Sequence, residues 1–394
     1  MPASRFVAAI VAAQVLAQIG AFTLPALLPG YLIRWQLSAT EAGWLIGAFF
    51  AAYVAAVPVL VALTDRLPAR RIYLLGTALT AASHLSFACL AEGFWSGLAL
   101  RALAGIGWAG CYMPGLKALA DRLEGAAQSR AVTWHAAGVG IAGAMSFLVA
   151  GTLEALAGPE AAFLFGGMAA LAAFGIGAAV LPDTRPVPRA GALLDFRPVL
   201  RNRAAMAWIA GYTVHTWELA ALRAWAVTFL ALVIAQQGAP GWLPGPNVLF
   251  TIAGLVGIAV SILGNETSQR FGRGRVVAVA MGAAALLSLL TGFSALVSAP
   301  LAVACVLAWN AAIYLDSSAL TAGTVQTAEP GLRGATMGLH SMCGYAGGFV
   351  GPLGVGVALD WSGPEALSSW GLAFGHVALV TLLGFAVLRR LSRG

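Results

Sequence analysis

The sequence predicts an all-α membrane protein with twelve transmembrane helices, and three observations carry this prediction. Of the 394 residues, 60% are hydrophobic and only 9% are charged, whereas soluble domains carry about 25% charged residues. The apolar stretches are continuous over about 20 residues, which is the length that a helix needs to cross a bilayer. They also lack the alternation of polar and apolar residues that the strands of a membrane β-barrel require.

Twelve apolar segments, numbered spans 1 to 12 in chain order, follow one another and are separated by short polar loops. They cover residues 6–33, 41–63, 72–91, 95–116, 131–156, 161–181, 204–235, 247–265, 276–297, 301–327, 335–359 and 368–388. Of the 22 Lys and Arg residues, all but Arg34, Arg101 and Arg223 lie near the termini or in loops on the same side as the termini. The positive-inside rule therefore predicts that both termini are cytoplasmic.

The longest polar stretch is rich in Pro and Arg and separates six spans from the other six. It predicts an N-terminal six-helix bundle over 1–181, a cytoplasmic central loop over 182–203 and a C-terminal six-helix bundle over 204–394. A basic loop follows the second span of each half, and the two loops lie about half a chain length apart. Cytoplasmic loops are often Arg-rich, but the matched position indicates a repeated six-helix unit, as in many secondary transporters.

The loop after span 2 carries the most specific pattern in the sequence. Residues 61–71 read VALTDRLPARR. This segment resembles the Gly-x-Leu-Ala-Asp-Arg-x-Gly-Arg-Arg signature of the major facilitator superfamily. Asp65, Arg66 and the pair Arg70-Arg71 match the signature, whereas Val61 and Pro68 replace its two glycines.

A second feature of that family is an Arg in span 4 followed by Gly at helical spacing, and Arg101, Gly105 and Gly107 match it. The resemblance implies two pseudo-symmetric six-helix bundles and alternating access around a site near the membrane midplane. It also implies that the first and fourth spans of each half line the central cavity. We expect a monomer in the inner (plasma) membrane of a bacterium, embedded in the lipid bilayer.

Four charged residues lie well inside predicted spans, namely Arg101, Glu218, Arg223 and Asp316. An Arg or Asp in the middle of a spanning helix costs about 2.5–3.5 kcal/mol, so each one is a candidate functional residue. The two positive and two negative charges balance, which permits burial as pairs.

Span 4 presents Arg101, Trp108 and Tyr112 on one helical face, because their spacings follow the helical repeat. The resemblance places this face on the cavity wall, where Arg101 would bind an anionic group or modulate a nearby proton carrier. A buried ion pair that joins two helices is the structural alternative. Gln14 and Gln18 are four residues apart on span 1, and they would either bind the substrate or hold helices together.

Spans 7 and 10 hold the remaining candidates. His215 and Glu218 are three residues apart and therefore neighbours on span 7, while Asp316 lies near the middle of span 10. Glu218, Asp316 and His215 are the predicted proton-coupling residues, because a carboxyl group in a dry site and an imidazole both exchange protons. A structural bridge between Arg223 and Asp316 is the alternative. The other predicted substrate-binding residues here are Trp217, Arg223, Asn310 and Tyr314.

The predicted gating residues are Asp65, Arg66 and Arg71. The resemblance implies that the acidic residue of this loop meets the start of span 11 and stabilises one conformation. A carboxylate is favourable at a helix N-terminus, which agrees with this role. Topology alone would account for the basic residues of the loop.

The two intramembrane Arg residues favour a substrate with an anionic group, since Arg binds a carboxylate bidentately. We expect proton-coupled uptake of a small carboxylate-like solute. A proton-driven efflux antiporter for apolar or cationic compounds is an alternative that the many aromatic residues would suit. A membrane sensor or scaffold that transports nothing is an alternative of another class.

Other functions have less support. No nucleophile–base pair is apparent, so we expect no enzyme, no catalytic residue and no cofactor. The single lysine, Lys117, follows Leu116 rather than Gly, which excludes a P-loop. The basic residues are dispersed over short loops, so we expect no nucleic acid partner, and no ligand set predicts a metal site. We expect the remaining histidines to be packing residues with satisfied hydrogen bonds; they are His84, His135, His340 and His376.

Overall fold

The computed structural model describes residues 2–64, 66–184 and 195–392. Within these ranges the chain forms fourteen α-helices and no strand, which confirms the predicted all-α class. In the first half the helices are α1 (Ala3–Gln18), α2 (Thr23–Arg34), α3 (Ala39–Leu63), α4 (Ala69–Leu90), α5 (Phe94–Arg122), α6 (Gly125–Ala157) and α7 (Pro159–Val180). In the second half they are α8 (Arg197–Arg201), α9 (Arg203–Gln237), α10 (Pro246–Phe271), α11 (Arg273–Ser294), α12 (Ala299–Thr327), α13 (Arg333–Ser362) and α14 (Ser369–Ser392).

These helices match the twelve predicted spans. Helices α1 and α2 together form span 1, α8 is a short helix between the two halves, and every other helix corresponds to one span. In the described part of the chain, eleven spans are both long and apolar enough to cross a membrane. Helix α5 has the length, 29 residues, but Arg101 and several glycines make it less apolar. The protein is therefore a multi-pass membrane protein.

The described residues form two compact units. Residues 2–27 and 48–184 make up the first unit, and residues 28–47 with 195–392 make up the second. The segment 28–47 belongs to the N-terminal half of the sequence but makes its contacts with the second unit. The boundaries at 181 and 203 stay a prediction.

In the first unit, α4 packs against α5 and α7, while α1 packs against α6 and α7. The contact between α4 and α5 is close because both helices carry glycine where they meet. A methyl group at Gly76 would lie 2.5 Å from the carbonyl carbon of Gly110. A core cluster that includes Phe6, Tyr73 and Leu119 fills one end of the unit.

In the second unit, α9 is central and packs against α12, α13 and α14. Helices α9 and α13 approach closely at Gly351, where a side chain would collide with the carbonyl oxygen of Trp217. A core cluster that includes Met281, Leu320 and Leu388 joins α11, α12 and α14.

The second unit also contains the start of α3, which is capped in two ways. Ser38 and Glu41 form a capping box: the Ser38 N–H donates to Glu41 Oε2 at 2.9 Å, and the Glu41 N–H donates to Ser38 Oγ at 3.1 Å. The intervening N–H groups of Ala39 and Thr40 donate to the carboxylate of Asp360 on α13, at 2.9 and 2.8 Å. A residue more than 300 positions away in the sequence thus completes this helix start.

Candidate functional site

The first spanning segment is interrupted at residues 19–22, between α1 and α2. Pro25 has no N–H group, so the Ala21 carbonyl loses the partner that a continuous helix would supply. The chain instead makes two tighter bonds, from the Ala21 N–H to the Gln18 carbonyl at 3.0 Å and from the Thr23 N–H to the Gly20 carbonyl at 3.2 Å. Interrupted spanning helices of this kind form the binding sites of many transporters.

Side chains from three neighbouring helices complete the hydrogen bonding of this interruption. His84 on α4 lies with its Nε2 atom 3.0 Å from the Gly20 carbonyl oxygen. Arg101 on α5 donates through Nη2 to the Ala21 carbonyl at 3.4 Å. Ser146 on α6 accepts from the Phe22 N–H at 3.0 Å. Side chains from α4, α5 and α6 therefore stabilise the backbone of the interruption.

Arg101 is a buried charge without a carboxylate partner. Only 2% of the residue is exposed, and its Nε atom has no hydrogen-bond partner. No Asp or Glu in the described ranges lies within ion-pair distance of it. Its guanidinium carbon lies 4.8 Å from the ring centroid of Phe49, a cation–π contact. The alternative of a buried ion pair at Arg101 thus has no support among the described residues.

Further polar side chains of the first unit are buried without a hydrogen-bond partner among the described residues. The amides of Gln14 and Gln18 have neither the oxygen nor the nitrogen paired, and the Trp108 indole N–H is also unpaired. The Trp108 ring contacts Phe22, within the interruption, with centroids 6.5 Å apart. More than about 90% of buried polar groups in folded proteins are paired, so this concentration of unpaired groups indicates a site for a ligand.

His135 is a residue that the sequence reasoning missed. It is fully buried on α6, and neither ring nitrogen has a hydrogen-bond partner, so the expectation of a satisfied packing histidine was wrong here. Its ring stacks on the predicted binding residue Tyr112, with centroids 5.4 Å apart. In the sequence, only the position of His135 inside a predicted span indicated a role. Its contact with Tyr112 joins two different helices, so spacing along the chain does not reveal it.

In the second unit the predicted proton-coupling residues lie together. His215 Nδ1 on α9 is 2.8 Å from Asp316 Oδ1 on α12. One turn along α9, Glu218 Oε1 accepts from the Trp309 indole N–H at 2.7 Å. All four side chains are buried. The structure therefore brings the two carboxyl groups and the imidazole of the prediction into one buried cluster.

The other predicted binding residues of the second unit have partners within that unit. Arg223 donates to the hydroxyl of Tyr314, and Asp316 pairs with His215. Asn310 donates through Nδ2 to the Ala253 carbonyl at 2.7 Å. The Trp217 indole N–H donates to His376 Nε2 at 3.4 Å.

The structure describes two of the three predicted gating residues, Arg66 and Arg71. Asp65 lies outside the described residues, and Arg66 is exposed. Arg71 pairs with Asp183 at 3.4 Å, and both side chains are about half exposed. Exposed ion pairs of this kind contribute about 0–1 kcal/mol, so this contact alone adds little stability. The gating role stays a prediction.

No candidate metal site is found in the parts of the chain that the structure describes. There, no three His, Cys, Asp or Glu side chains are grouped so that they could hold a metal ion.

The fold and the buried polar sites define a polytopic helical transporter of small molecules. The chain belongs to the major facilitator superfamily, because the sequence model of that family matches residues 10–352. This match confirms the resemblance that rests on the loop after span 2 and on span 4. The protein is accordingly a membrane transporter and not an enzyme.

Solved structures share this fold across the whole chain. A bacterial homolog of the human lysosomal transporter Spinster, in an inward-facing and occupied conformation, gives a TM-score of 0.78 at 17% identity, covering 99% of this chain and 97% of that one. A POT family transporter in complex with 5-aminolevulinic acid gives 0.79 at 12% identity, with 98% and 97% covered. The human organic anion transporter MFSD10 (TETRAN) gives 0.70 at 21% identity, with 98% and 100% covered. At these identities the likeness shows the fold alone, and no curated protein matches the sequence.

Proposed function

We propose that the protein is a secondary active transporter that takes up a small carboxylate-like anion together with protons. The observation that carries this proposal is the buried Arg101, which has no carboxylate partner in the described residues and lies at the interruption of the first span. The buried cluster of His215, Asp316 and Glu218 supports the coupling to protons.

The anionic substrate follows from the state of Arg101. A guanidinium removed from water without a counter-charge is costly, and its one described hydrogen bond is a long contact of 3.4 Å to a backbone carbonyl. A carboxylate would supply the missing charge and accept from the free Nε–H. The planar guanidinium suits a carboxylate better than a lysine ammonium would, because it presents two parallel donors.

Proton coupling follows from the second unit. Glu218 is buried, and its described neighbours are neutral donors: the Trp309 indole N–H donates to Oε1 at 2.7 Å, and the Thr381 hydroxyl lies close to the carboxyl group. Neutral donors compensate poorly for a carboxylate charge taken out of water. Asp316 shares its hydrogen bond with the imidazole of His215, a group that can both donate and accept a proton. We assign proton binding and release to Glu218, Asp316 and His215.

The location, orientation and gating of the protein are part of the same proposal. The distribution of Arg residues favours cytoplasmic termini in a bacterial inner membrane. Alternating access would then expose Arg101 to each side in turn, with Asp65, Arg66 and Arg71 as gating residues. We propose a monomer as the transporting unit, as each chain contains both polar sites.

The experiment uses purified protein in liposomes with a pH-sensitive dye trapped inside. Small carboxylates, inorganic anions and lipophilic cations are added in turn. Acidification of the interior on addition of a carboxylate is expected for uptake with protons. Alkalinisation on addition of a cation would instead indicate the efflux antiporter, and a response to neither class would overturn the proposal.

Arg101→Ala tests the role of the guanidinium. A hydrogen bond to a charged group contributes about 1.5–3 kcal/mol, so the apparent affinity for the carboxylate is expected to fall about 10- to 100-fold. Arg275→Ala removes the same charge from an exposed position on α11 and is the matched control. Equal carboxylate uptake by both variants would show that Arg101 does not bind the anion.

A further inference from the structure

We infer that the transported anion also carries a hydroxyl or amino group, and that Gln14 and Gln18 recognise this second group. The inference rests on the proposed function, since it concerns the same site and names the substrate class more narrowly. It places hydroxy- and amino-carboxylates above plain carboxylates of the same size.

The two amides are buried and aligned on one helix. Gln14 and Gln18 are 0% and 2% exposed, and residues four apart share one face of α1. The oxygen and the nitrogen of each amide lack a partner. The two side chains therefore do not bond to each other. The alternative of interhelical hydrogen bonds has no support in the described residues.

Gln18 lies next to the anion-binding group. The Gln18 carbonyl accepts from the Ala21 N–H at 3.0 Å, and the Ala21 carbonyl accepts from Arg101 at 3.4 Å. Trp108, the third side chain with an unpaired donor, contacts the ring of the next residue, Phe22. The guanidinium and the indole thus contact the turn of the first span that directly follows Gln18.

The hydrogen-bonding capacity of these groups selects the ligand. Arg101 and Trp108 only donate, whereas each glutamine both donates and accepts. A plain carboxylate, or an inorganic anion without a hydroxyl such as chloride or nitrate, has no donor, so it would leave both glutamine oxygens buried and unpaired. A hydroxyl or ammonium group on the same molecule supplies the missing donor. Sites built to bind a substrate hydroxyl or amine discriminate strongly against analogues that lack it.

The test compares matched pairs that differ by one donor group, using the wild-type protein in the same liposome assay. The pairs are lactate against propionate, alanine against propionate, and malate against succinate. In at least one pair, the compound with the donor is expected to show about tenfold higher apparent affinity or more, which is the effect of one buried hydrogen bond. Ratios near one in every pair, with carboxylate uptake intact, would overturn this inference and leave the proposed function standing.

The variants Gln14→Leu and Gln18→Leu show whether these amides cause the selectivity. The affinity ratio of the matched pair is expected to fall toward one in at least one variant, because the amide that favours the compound with the donor is lost. Arg101→Ala is expected to weaken both members of the pair. An unchanged ratio in both leucine variants would mean that the amides hold water or pack against helices, and would overturn the inference.

Unfolding of the ligand-free variants separates selectivity from stability. Leucine removes unpaired buried polar groups, so the unfolding temperature of each leucine variant is expected to match or exceed that of the wild type. A drop would indicate that the glutamines hold helices together, and would contradict their assignment to the substrate. Gln14→Asn and Gln18→Asn keep the amide and are expected to retain part of the selectivity.

Discussion

At the scale of single residues, the two candidate sites differ in how their polar side chains are paired. In the first unit Arg101, Gln14 and Gln18 leave hydrogen-bonding atoms free. In the second unit His215 and Asp316 pair with each other. Unpaired buried groups favour binding of an outside ligand, whereas a closed pair favours exchange of a proton within the protein. We propose that substrate binding and proton coupling are divided between the units in this way.

Glu218→Gln tests this division. Glutamine keeps the size of the side chain and still accepts a hydrogen bond from Trp309, but it cannot bind or release a proton. The variant is expected to bind the carboxylate with about wild-type affinity and to exchange it across the membrane, while the substrate-dependent pH signal disappears. Glu266→Gln, at an exposed position on α10, is the control. A full pH signal in Glu218→Gln would remove Glu218 from the coupling mechanism.

The sequence indicated which residues matter here more clearly than which partners they take. A charge inside an apolar span is visible from local composition, so Arg101, Glu218 and Asp316 were found at once. Their partners come from distant segments: Asp316 pairs with a histidine 101 residues away, and Arg223 pairs with Tyr314. Composition and spacing carry no information about such contacts, because they depend on how the helices pack.

At the scale of elements, the spans could be predicted from the sequence, but the interruption of the first span could not. Twelve spans could be predicted because a long apolar run is a local property. The interruption at residues 19–22 was not predicted, although Pro25 lies beside it, because spanning helices often accommodate proline with a slight bend. Its position depends on His84, Arg101 and Ser146, which complete its hydrogen bonds from other helices.

The capped start of α3 gives a testable consequence at this scale. Asp360→Ala leaves the N–H groups of Ala39 and Thr40 without their carboxylate acceptor. Loss of a helix cap costs about 0.5–2 kcal/mol, so the unfolding temperature of the purified protein is expected to fall. Glu365→Ala, an exposed carboxylate nearby in the sequence, is the control. Equal unfolding temperatures for the two variants would show that the Asp360 contact adds no stability.

At the scale of the whole molecule, the orientation of the chain in the membrane determines which end of the helical bundle faces the cytoplasm. The helices alone do not determine this orientation, because the same bundle inserts either way round. The bias of Arg toward one set of loops is the physical cause, since positively charged loops remain on the cytoplasmic side during insertion. The proposed cytoplasmic location of the loop after span 2 therefore depends on the termini being cytoplasmic, whereas the direction of net transport depends on the coupled proton gradient.

Two glycines test the orientation directly. Gly241, between α9 and α10, and Gly274, at the start of α11, both have open space where a side chain would project. In a background without the four native cysteines, Gly241→Cys is expected to react with a membrane-impermeant maleimide in intact bacterial cells. Gly274→Cys is expected to react only after the membrane is permeabilised. The reverse pattern would place the termini outside and would contradict the proposed orientation.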